Sequence, residues 1–326
     1  MKVYGDDDAD LAVLADRTVA VIGYGNQGQA QALNLRDSGL RVIVGGIEDE
    51  ASERARADGF EVKPIAEAAA EGDVLLLLIP DEIQRHVYYD SIDQHMGTGK
   101  TLDFAHGFNI RFGLIEPPAQ VDVVMVAPRM IGSSVRQRFL EGLGSPAYVA
   151  VARDASGGAW PTALALAKGI GATRAGAIES TFAEETEIDL FLEQATWAAI
   201  SRALILSFEV LVEQGFDPEM VALELYGSFE AAEIMAEMAR MGFFKQMRLH
   251  SQTSQYGTLS RGPRVLPDAF KKSFRRALEE IRSGRFAREW QREQEGGYPT
   301  FRRLLDEALT HPLNAAEEAG RDLFQG

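Results

Sequence analysis

The sequence contains no cysteine among its 326 residues, which excludes disulfide bonds, zinc sites built from thiolates and cysteine nucleophiles. Long apolar runs are missing as well: the longest, residues 74–79, is far shorter than the roughly 20 residues needed to cross a bilayer. The first residues lead into Asp6–Asp8 rather than into an apolar segment, which is unlike a secretory signal peptide. We therefore expect a cytoplasmic protein with no membrane-spanning segment.

Basic residues are scarce relative to acidic ones. The chain has 33 Lys and Arg residues against 49 Asp and Glu residues, and its formal net charge is -16. Such a surface repels the backbone of nucleic acids, and no basic stripe with interleaved aromatic residues is present. The 46% of hydrophobic and 25% of charged residues are typical of a folded protein, and the length favours two domains over one. We expect no nucleic-acid partner.

Short β-forming runs alternate with helical stretches in the first half of the chain. The predicted strands are residues 18–22, 41–44, 74–79, 101–104, 121–126 and 147–151. Alternating β and α units predict an α/β fold with a parallel, doubly wound sheet that carries helices on both faces. The apolar run at 74–79 is continuous rather than alternating, as expected for a strand buried on both faces.

The second half has a different character. Apolar residues recur at helical spacing in residues 197–214, 218–241, 270–281 and 298–309, and no convincing strand follows residue 184. This pattern predicts an all-α C-terminal domain. We place the domain boundary near residue 180, which gives an α/β domain over 1–180 and a helical domain over 181–326.

A glycine-rich turn follows the first predicted strand. The G-x-G-x-x-G segment comprises Gly23, Tyr24, Gly25, Asn26, Gln27 and Gly28. Gly23 permits the tight turn, Gly25 lets the backbone approach a diphosphate, and Gly28 allows close packing of helix on strand. The alternative is a turn without a ligand, but the flanking strand and helix favour a Rossmann dinucleotide site with the diphosphate at the helix N-terminus.

The loop after the second strand is acidic. Glu48, Asp49 and Glu50 precede Ser52, and no basic residue occurs before Arg54. An acid at this distance from the glycines binds ribose hydroxyls, whereas a 2′-phosphate would be repelled by three carboxylates. The loop therefore predicts a preference for NADH over NADPH. In the alternative interpretation these acids only cap and solvate the next helix.

Ordered segments over nearly the whole chain resemble ketol-acid reductoisomerases. They are residues 19–28, 32–39, 79–84, 104–110, 179–194, 251–257 and 283–290. The most specific segment runs from Glu179 to Gln194, and another contains Ala105, His106 and Gly107. The chain is identified as a member of this family, and its length resembles the shorter, class I form.

The resemblance implies that residues 1–180 form the dinucleotide-binding domain and that residues 181–326 form a knotted helical domain for metal binding, substrate binding and dimerisation. It also implies a homodimer or higher homo-oligomer whose helical domains interlock, so that each active site takes residues from both chains. It also implies a reaction in branched-chain amino-acid biosynthesis. In a magnesium-dependent step, a 2-hydroxy-2-alkyl-3-keto acid of the 2-acetolactate type undergoes an alkyl shift. NAD(P)H then reduces the new 2-keto group.

Two carboxylates are candidates for the magnesium site. Asp189 and Glu193 lie four positions apart on a predicted helix and so face the same way. Hard oxygen ligands at this spacing suit Mg²⁺, although an acidic, solvated helix start is the alternative. The resemblance favours the metal site. It also assigns His106 a place near the nicotinamide and the metal-bound water, and Ser251 a contact with the substrate carboxylate.

The resemblance assigns further cofactor contacts. They are Glu48, Glu50, Ser52, Pro80, Asp81, Gln84, His106 and Gly132.

Some positions depart from the family pattern. Arg129 stands where the family has a lysine and Ser133 where it has a histidine, and an arginine keeps the charge but does not release its proton. The two family glutamates that reach the other subunit's site match either Glu224 with Ser228 or Tyr226 with Glu230. Both alignments stay open, and either leaves the second metal position short of a carboxylate.

Three functions compete. The leading hypothesis is a ketol-acid reductoisomerase in which His106, Arg129, Glu193 and Glu230 act in catalysis and Asp189, Glu193, Glu224 and Glu230 hold Mg²⁺. The alternative is a divergent NADH-dependent reductase of another 2-keto acid or imine in specialised metabolism, without the isomerase step. A non-catalytic dinucleotide-binding protein is the third, and the retained Asp189 and Glu193 pair argues against it.

Overall fold

The computed structural model describes residues 1–321 of the chain. The chain divides into two compact units, one covering Met1–Ile188 and one beginning at Asp189. This division lies inside a helix, whereas the predicted domain boundary at 180/181 lies just before that helix.

The first unit contains one nine-stranded sheet. Its strands are β1 (Val3–Tyr4), β2 (Thr18–Ile22), β3 (Arg41–Gly46), β4 (Glu61–Pro64), β5 (Val74–Leu77), β6 (Thr101–Phe104), β7 (Asp122–Pro128), β8 (Ala147–Arg153) and β9 (Ala177–Glu179). Their order across the sheet is β1-β9-β8-β7-β6-β5-β2-β3-β4. From β4 to β7 every neighbouring pair is parallel. This is the predicted Rossmann arrangement, in which the strand order reverses beside β2.

The remainder of the sheet is mixed, which corrects the prediction of an all-parallel sheet. The strand predicted at residues 147–151 is β8, and it pairs antiparallel with β7. The edge strand β1 pairs antiparallel with β9. A buried apolar run has the same pattern in either direction, so the sequence alone does not give strand polarity. The short strands β1, β4 and β9 were not predicted, because two to four residues give no clear periodicity.

Helices cover both faces of the sheet. They are α1 (Asn26–Asp37), α2 (Glu50–Ala57), α3 (Ile65–Glu71), α4 (Asp81–Val87), α5 (Phe108–Arg111), α6 (Gly132–Leu140) and α7 (Ala159–Gly169). Alternate residues of β2 enter different cores: Val19 and Val21 pack with residues of α1 and α7, whereas Ala20 and Ile22 pack with residues of α3. Burial on both faces explains why the central strands are continuously apolar.

The described residues after β9 form helices and no strand, as predicted. They are α8 (Phe182–Phe191), α9 (Ala198–Glu213), α10 (Pro218–Ala222), α11 (Glu230–Met241), α12 (Gln252–Val265), α13 (Phe270–Arg282), α14 (Arg285–Glu295), α15 (Pro299–Leu309) and α16 (Pro312–Ala319). A π-helical turn, Leu192–Trp197, joins α8 to α9. The helical pattern at 218–241 is interrupted, because Phe229 adopts a left-handed conformation with φ of 64° between two helices.

The helical stretch Phe182–Glu213 is long and apolar enough to cross a membrane. An 18-residue window in it has a mean hydropathy of 1.5, and only 11% of that window is buried. Length and composition alone are weak evidence, because helices of soluble proteins can pass the same test. The stretch also carries Glu185 and Asp189 in its first turns, and carboxylates are rare in spanning helices. The absence of a membrane segment stays a prediction.

Asp103 is a carboxyl group placed in the middle of the sheet. It lies on β6 and is fully buried, and neither of its side-chain oxygens has a hydrogen-bond partner among residues 1–321. Burial raises the pKa of this carboxyl well above its usual range, and the nearby backbone amides of Val126 and Phe104 oppose the shift without reversing it. The neutral form is therefore favoured in the folded state.

This placement predicts a pH-dependent cost to stability. Asp103 ionises at roughly pH 4 in the unfolded chain, so the folded protein loses about 1.4 kcal/mol per pH unit from there up to the raised folded pKa. Asp103→Asn cannot ionise and removes this loss. We expect calorimetry to show that the variant gains stability relative to the parent between pH 5 and pH 8. An equal difference between the two proteins at both pH values would contradict this prediction.

Candidate active site

Of the three glycines in the turn between β2 and α1, two are closely packed and one faces open space. Gly23 has φ of +94°, and a Cβ atom there would lie 2.5 Å from Cγ2 of Ile79. A Cβ on Gly28 would lie 2.2 Å from the carbonyl oxygen of Gly23. At Gly25, by contrast, a Cβ atom would meet no heavy atom within 4 Å. Packing therefore requires Gly23 and Gly28, while the backbone at Gly25 faces space that a diphosphate can approach.

A cavity of about 290 Å³ adjoins this turn. Its walls come from the glycine turn, the end of β3, the start of α2 and the β5–α4 connection. The lining residues are Gly23, Tyr24, Gly25, Gly45, Gly46, Ile47, Asp49, Ala51, Ser52, Ile65, Leu78, Ile79, Pro80, Ile83 and Val87. An apolar cavity with a few polar groups, beside the helix N-terminus of a Rossmann unit, suits the adenosine half of a dinucleotide.

Side chains of the glycine turn form hydrogen bonds with residues outside the turn. Tyr24 is buried, and its hydroxyl donates to Oδ2 of Asp58 at 2.8 Å. Burial and the Asp58 hydrogen bond raise the pKa of Tyr24. Nε2 of Gln27 donates to the carbonyl oxygen of Met130 at 2.9 Å. Oδ1 of Asn26 accepts the amide of Gly132 at 2.5 Å. The side chains of this segment thus fix the shape of the turn.

Gly132 begins α6 directly against the glycine turn. A Cβ atom at this position would lie 1.9 Å from the carbonyl oxygen of Asn26. Gly132→Ala must push the start of α6 away from the turn, so we expect NADH to bind at least about tenfold more weakly, since misplaced amides lose charge-assisted bonds to the diphosphate. The matched control is Gly97→Ala, because a Cβ there meets nothing within 4 Å. Equal NADH dissociation constants in both variants, measured by calorimetry, would refute the prediction.

The three acidic residues of the loop after β3 make different contacts. The carboxylate of Glu48 pairs with Arg56 at 2.5 Å, and Glu50 lies 3.9 Å from Arg54. Asp49 is the acid of this loop that lines the cavity. Its Oδ1 also accepts a hydrogen bond from the amide of Ser52 at 2.9 Å, as the N-cap of α2.

The hydroxyl of Ser52 donates to the carbonyl oxygen of Ile47 at 2.5 Å. Of the cofactor contacts predicted from sequence in this loop, Ser52 lines the cavity. Asp49 was counted among the three repelling carboxylates but was not selected as a cofactor contact. Its position immediately before α2, three residues ahead of Ser52, is the available capping signal.

A buried carboxylate organises the end of β6 and β7. Glu185, on α8, is only 1% exposed. One oxygen accepts from Nδ1 of His106 at 3.0 Å and from the amide of Gly107 at 2.9 Å, and the other accepts from Arg129 at 2.9 Å. Burial alone raises the pKa of Glu185, but the hydrogen bonds from His106 and Gly107 and the charge of Arg129 outweigh it and lower the pKa. Glu185 is therefore a fixed anion between two cationic or polar side chains.

Glu185 was not among the predicted site residues. The available signal was its position one turn before Asp189, because residues four apart share a helix face.

Asp81 lies on the other side of the imidazole. Its Oδ2 is 3.8 Å from Nε2 of His106. Nε2 of Gln84 donates to Oδ1 of Asp81 at 3.1 Å, and Nδ2 of the fully buried Asn109 donates to Oε1 of Gln84 at 2.9 Å. Gln84 is itself buried and contacts Asp81, whereas Pro80 lies in the wall of the cavity beside the glycine turn. Gln84 and Asn109 thus hold the start of α4 in place.

The residues near His106 include a possible cation site. His106, Glu185 and Asp189 each offer one ligand atom, and these atoms lie within 4.8 Å of one another. Asp189 follows Glu185 by one turn of the unbroken helix α8, and Glu193 follows in the π-helical turn. Paired carboxylate oxygens fit Mg²⁺, which takes few protein ligands and keeps several waters.

The other predicted residues lie in the second unit. Glu224 is in a π-helical turn, Leu223–Gly227, and Glu230 is the first residue of α11. The hydroxyl of Tyr226 pairs with Glu317. Ser251 is the N-cap of α12, and its Oγ accepts the amide of Ser254 at 3.2 Å. The two alignments of the glutamate pair stay open.

Comparison with known families agrees with this architecture. Residues 13–176 match the model of the acetohydroxy acid isomeroreductase NADPH-binding domain, and residues 182–325 match that of the ketol-acid reductoisomerase C-terminal domain. The chain is 50% identical to the ketol-acid reductoisomerase (NADP(+)) of Pyrobaculum calidifontis, over 100% of this chain and 99% of that protein. The corresponding enzyme of Methanopyrus kandleri is 47% identical over 99% of this chain and 98% of its own length.

A solved structure is similar over the full length. It is an NADH-preferring ketol-acid reductoisomerase from an uncultured archean, which is 39% identical, covers 100% of both chains and gives a TM-score of 0.95. A Plasmodium falciparum pyrroline carboxylate reductase shares only the fold, at 13% identity and a TM-score of 0.51 over 83% of this chain and 98% of its own. The family models and the full-length relatives together show that this chain belongs to the ketol-acid reductoisomerase family.

Proposed function

We propose that this protein is a ketol-acid reductoisomerase of branched-chain amino-acid biosynthesis. The observation that carries the proposal is the cluster formed by the buried Glu185 with the partly buried His106 and Arg129 at the carboxyl ends of β6 and β7. The glycine turn follows β2, which runs parallel to both strands, so the turn lies at the same edge of the sheet. Ligands of open α/β sheets bind at this edge.

The proposed chemistry has two steps on a substrate of the 2-acetolactate type. The 2-hydroxyl loses its proton while the alkyl group moves with its bonding electrons from C2 to C3, so that C2 becomes a ketone and C3 an alkoxide that takes up a proton. The nicotinamide then delivers hydride to C2, and the C2 oxygen takes up a proton to give the 2-hydroxyl group. The Glu185 carboxylate orients the His106 ring through the hydrogen bond to Nδ1 of His106. Arg129 keeps a permanent positive charge beside the Glu185 carboxylate.

Magnesium is the proposed metal. Asp189 and Glu193 would hold it, and Glu224 or Glu230 of a second copy of the chain would complete the ligand set, as the family resemblance implies. The Glu185 and Asp189 carboxylates on one helix face support this assignment. The ion would act as a Lewis acid on the substrate's hydroxyl and carbonyl oxygens.

We propose NADH as the preferred cofactor. The support is Asp49, a carboxylate in the wall of the cavity that suits adenosine. The curated relatives are named as NADP(+) enzymes, whereas the similar solved structure is described as NADH-preferring. A carboxylate beside the ribose accepts hydrogen bonds from the ribose hydroxyls and repels a 2′-phosphate. Its charge therefore favours NADH over NADPH.

Asp49→Asn tests this preference. Asparagine remains a good N-cap for α2, so the variant removes charge while it keeps the local fold. We expect the ratio of kcat/KM for NADH to that for NADPH to fall about tenfold, because one close repulsion of the phosphate disappears. Glu53→Gln is the matched control on an exposed position of the same helix. A ratio that stays at the parent value in Asp49→Asn would remove Asp49 from cofactor selection.

The assay for the proposed reaction follows NADH and NADPH oxidation with 2-acetolactate, with and without Mg²⁺. Magnesium-dependent oxidation supports the reductoisomerase. One observation favours a second candidate: Arg129 donates to Glu185 but does not release its proton, so proton transfer by the family lysine is lost. If NADH or NADPH is oxidised with 3-hydroxy-3-methyl-2-ketobutyrate but not with 2-acetolactate, the protein is a reductase without isomerase activity.

We also propose a homodimer. The described part of the second unit has few buried side chains and many exposed apolar ones. The exposed set includes Trp197, Val210, Phe216, Met220, Phe229, Phe243, Phe244, Leu249, Leu259, Val265, Leu304 and Leu309. Surfaces this apolar mark protein contacts. Sedimentation equilibrium should give at least twice the chain mass of 35.7 kDa, and a monomer would contradict the proposal.

A further inference from the structure

The side chain of Arg129 lies between a carboxylate and an aromatic ring. One guanidinium nitrogen is 2.9 Å from Oε1 of Glu185. The guanidinium carbon is 5.0 Å from the ring centroid of Tyr148. This distance is within the range of cation–π attraction, which strengthens when the cation is partly withdrawn from water. Only 25% of the Arg129 side chain is exposed, so the contact is shielded on most sides.

Sheet register brings the two residues together. Ala127 of β7 pairs with Tyr148 of β8, and the ladder continues as the amide of Arg129 donates to the carbonyl oxygen of Pro146 at 2.9 Å. Side chains two positions apart on a strand share a face, so Arg129 and Tyr148 are diagonal neighbours across antiparallel strands. The contact therefore depends on the antiparallel polarity of β8.

The ring itself is held by the core. Tyr148 packs against a buried apolar cluster that includes Ala127, Ala150 and Phe182. Phe182 is the first residue of α8, the helix that carries Glu185. Tyr148 thus pairs with β7, the strand that precedes Arg129. It also packs against the apolar cluster that anchors α8, the helix that carries Glu185.

We propose that Tyr148 is a positioning residue for Arg129. An arginine side chain has many rotamers, and holding it in one of them costs conformational entropy. The ring face restricts the guanidinium to the orientation that donates to Glu185. Arginine makes such ring contacts more often than lysine, so the Tyr148 ring is suited to the arginine that replaces the family lysine. The activity readout of this inference rests on the proposed function.

The kinetic test compares two substitutions of the ring. Tyr148→Leu keeps apolar volume and removes the π face, and we expect kcat for 2-acetolactate to fall about tenfold while the KM for NADH stays within twofold. Tyr148→Phe keeps the face and should restore kcat to within about twofold of the parent. Loss of activity in Tyr148→Phe equal to that in Tyr148→Leu would overturn the proposal, because the phenolic hydroxyl would then be the important group.

A double-mutant cycle separates positioning from packing. In an Arg129→Ala background, Tyr148→Leu should cost less than about twofold, since no guanidinium remains to be oriented. A tenfold loss in both backgrounds would show that Tyr148 acts through the fold alone and would refute the inference.

A spectroscopic readout does not depend on turnover. The ring current of Tyr148 should shift the side-chain methylene resonances of Arg129 upfield, and Arg129→Lys assigns those resonances. We expect Tyr148→Leu to abolish the shift and Tyr148→Phe to retain it. A parent protein with this shift and no activity on 2-acetolactate would refute the proposed function and leave the positioning role intact. An unchanged spectrum in Tyr148→Leu would refute the positioning role itself.

Discussion

Glu185→Gln is expected to lower kcat for 2-acetolactate about a thousandfold. The carboxylate is buried and binds His106, the amide of Gly107 and Arg129 at 2.9–3.0 Å. Glutamine is nearly isosteric but neutral, so it leaves Arg129 without its anion and removes the carboxylate that orients His106. Its amide group must also face one of the donors. Removing one preorganised electrostatic group from an active site typically costs about 3–4 kcal/mol on the barrier. Each 1.4 kcal/mol on the barrier corresponds to about a tenfold change in rate.

The control for this variant is Glu184→Gln on the same helix. Glu184 is exposed and bonds only locally, to Thr181 at 3.2 Å, so its loss should change kcat by less than about twofold. NADH binding should persist in Glu185→Gln, because the glycine turn and its cavity do not include Glu185. A Glu185→Gln enzyme with kcat within tenfold of the parent would remove this carboxylate from the centre of the site.

Asp189→Asn is expected to abolish magnesium-dependent turnover. An amide oxygen is a neutral and weaker ligand than a carboxylate, and Mg²⁺ sites rely on very few protein carboxylates. In the proposed reaction the ion withdraws charge from the substrate oxygens during the alkyl shift, so its loss should lower kcat at least about a thousandfold.

Metal and cofactor titrations make the Asp189 result specific. Binding of Mn²⁺, followed by electron paramagnetic resonance as a stand-in for Mg²⁺, should weaken by more than about tenfold in Asp189→Asn. The dissociation constant for NADH should stay within twofold of the parent value. Full activity with unchanged Mn²⁺ binding would exclude Asp189 as a ligand. Loss of NADH binding would instead indicate a folding defect.

Local patterns were sufficient for most of the first unit. The G-x-G-x-x-G turn, the strands around it and the helical character of the chain after Glu179 were all predicted, because each depends on residues close in sequence. The interruption at Phe229 was not predicted. A left-handed phenylalanine is uncommon, and nothing in the apolar periodicity of residues 218–241 signals it.

The candidate site was predicted less completely than the fold. His106, Arg129 and Asp189 were recognised by their place in family-like segments, but Glu185 and Asp49 were not selected from their runs of acids. Neighbouring acids look alike in sequence, and burial separates them. Glu185 is 1% exposed, whereas Glu184 faces solvent.

The sequence by itself determined the family, the nucleotide-binding turn and the presence of carboxylates one turn apart. These follow from short spacings that any fold must respect. Only the tertiary structure decided the antiparallel polarity of β8, the stacking of Arg129 on Tyr148 and the choice of Glu185 over its neighbours. The reason is physical: these features depend on which distant residues share a buried volume. The local order of residues shows neither which of several neighbouring acids is buried nor in which direction two strands pair.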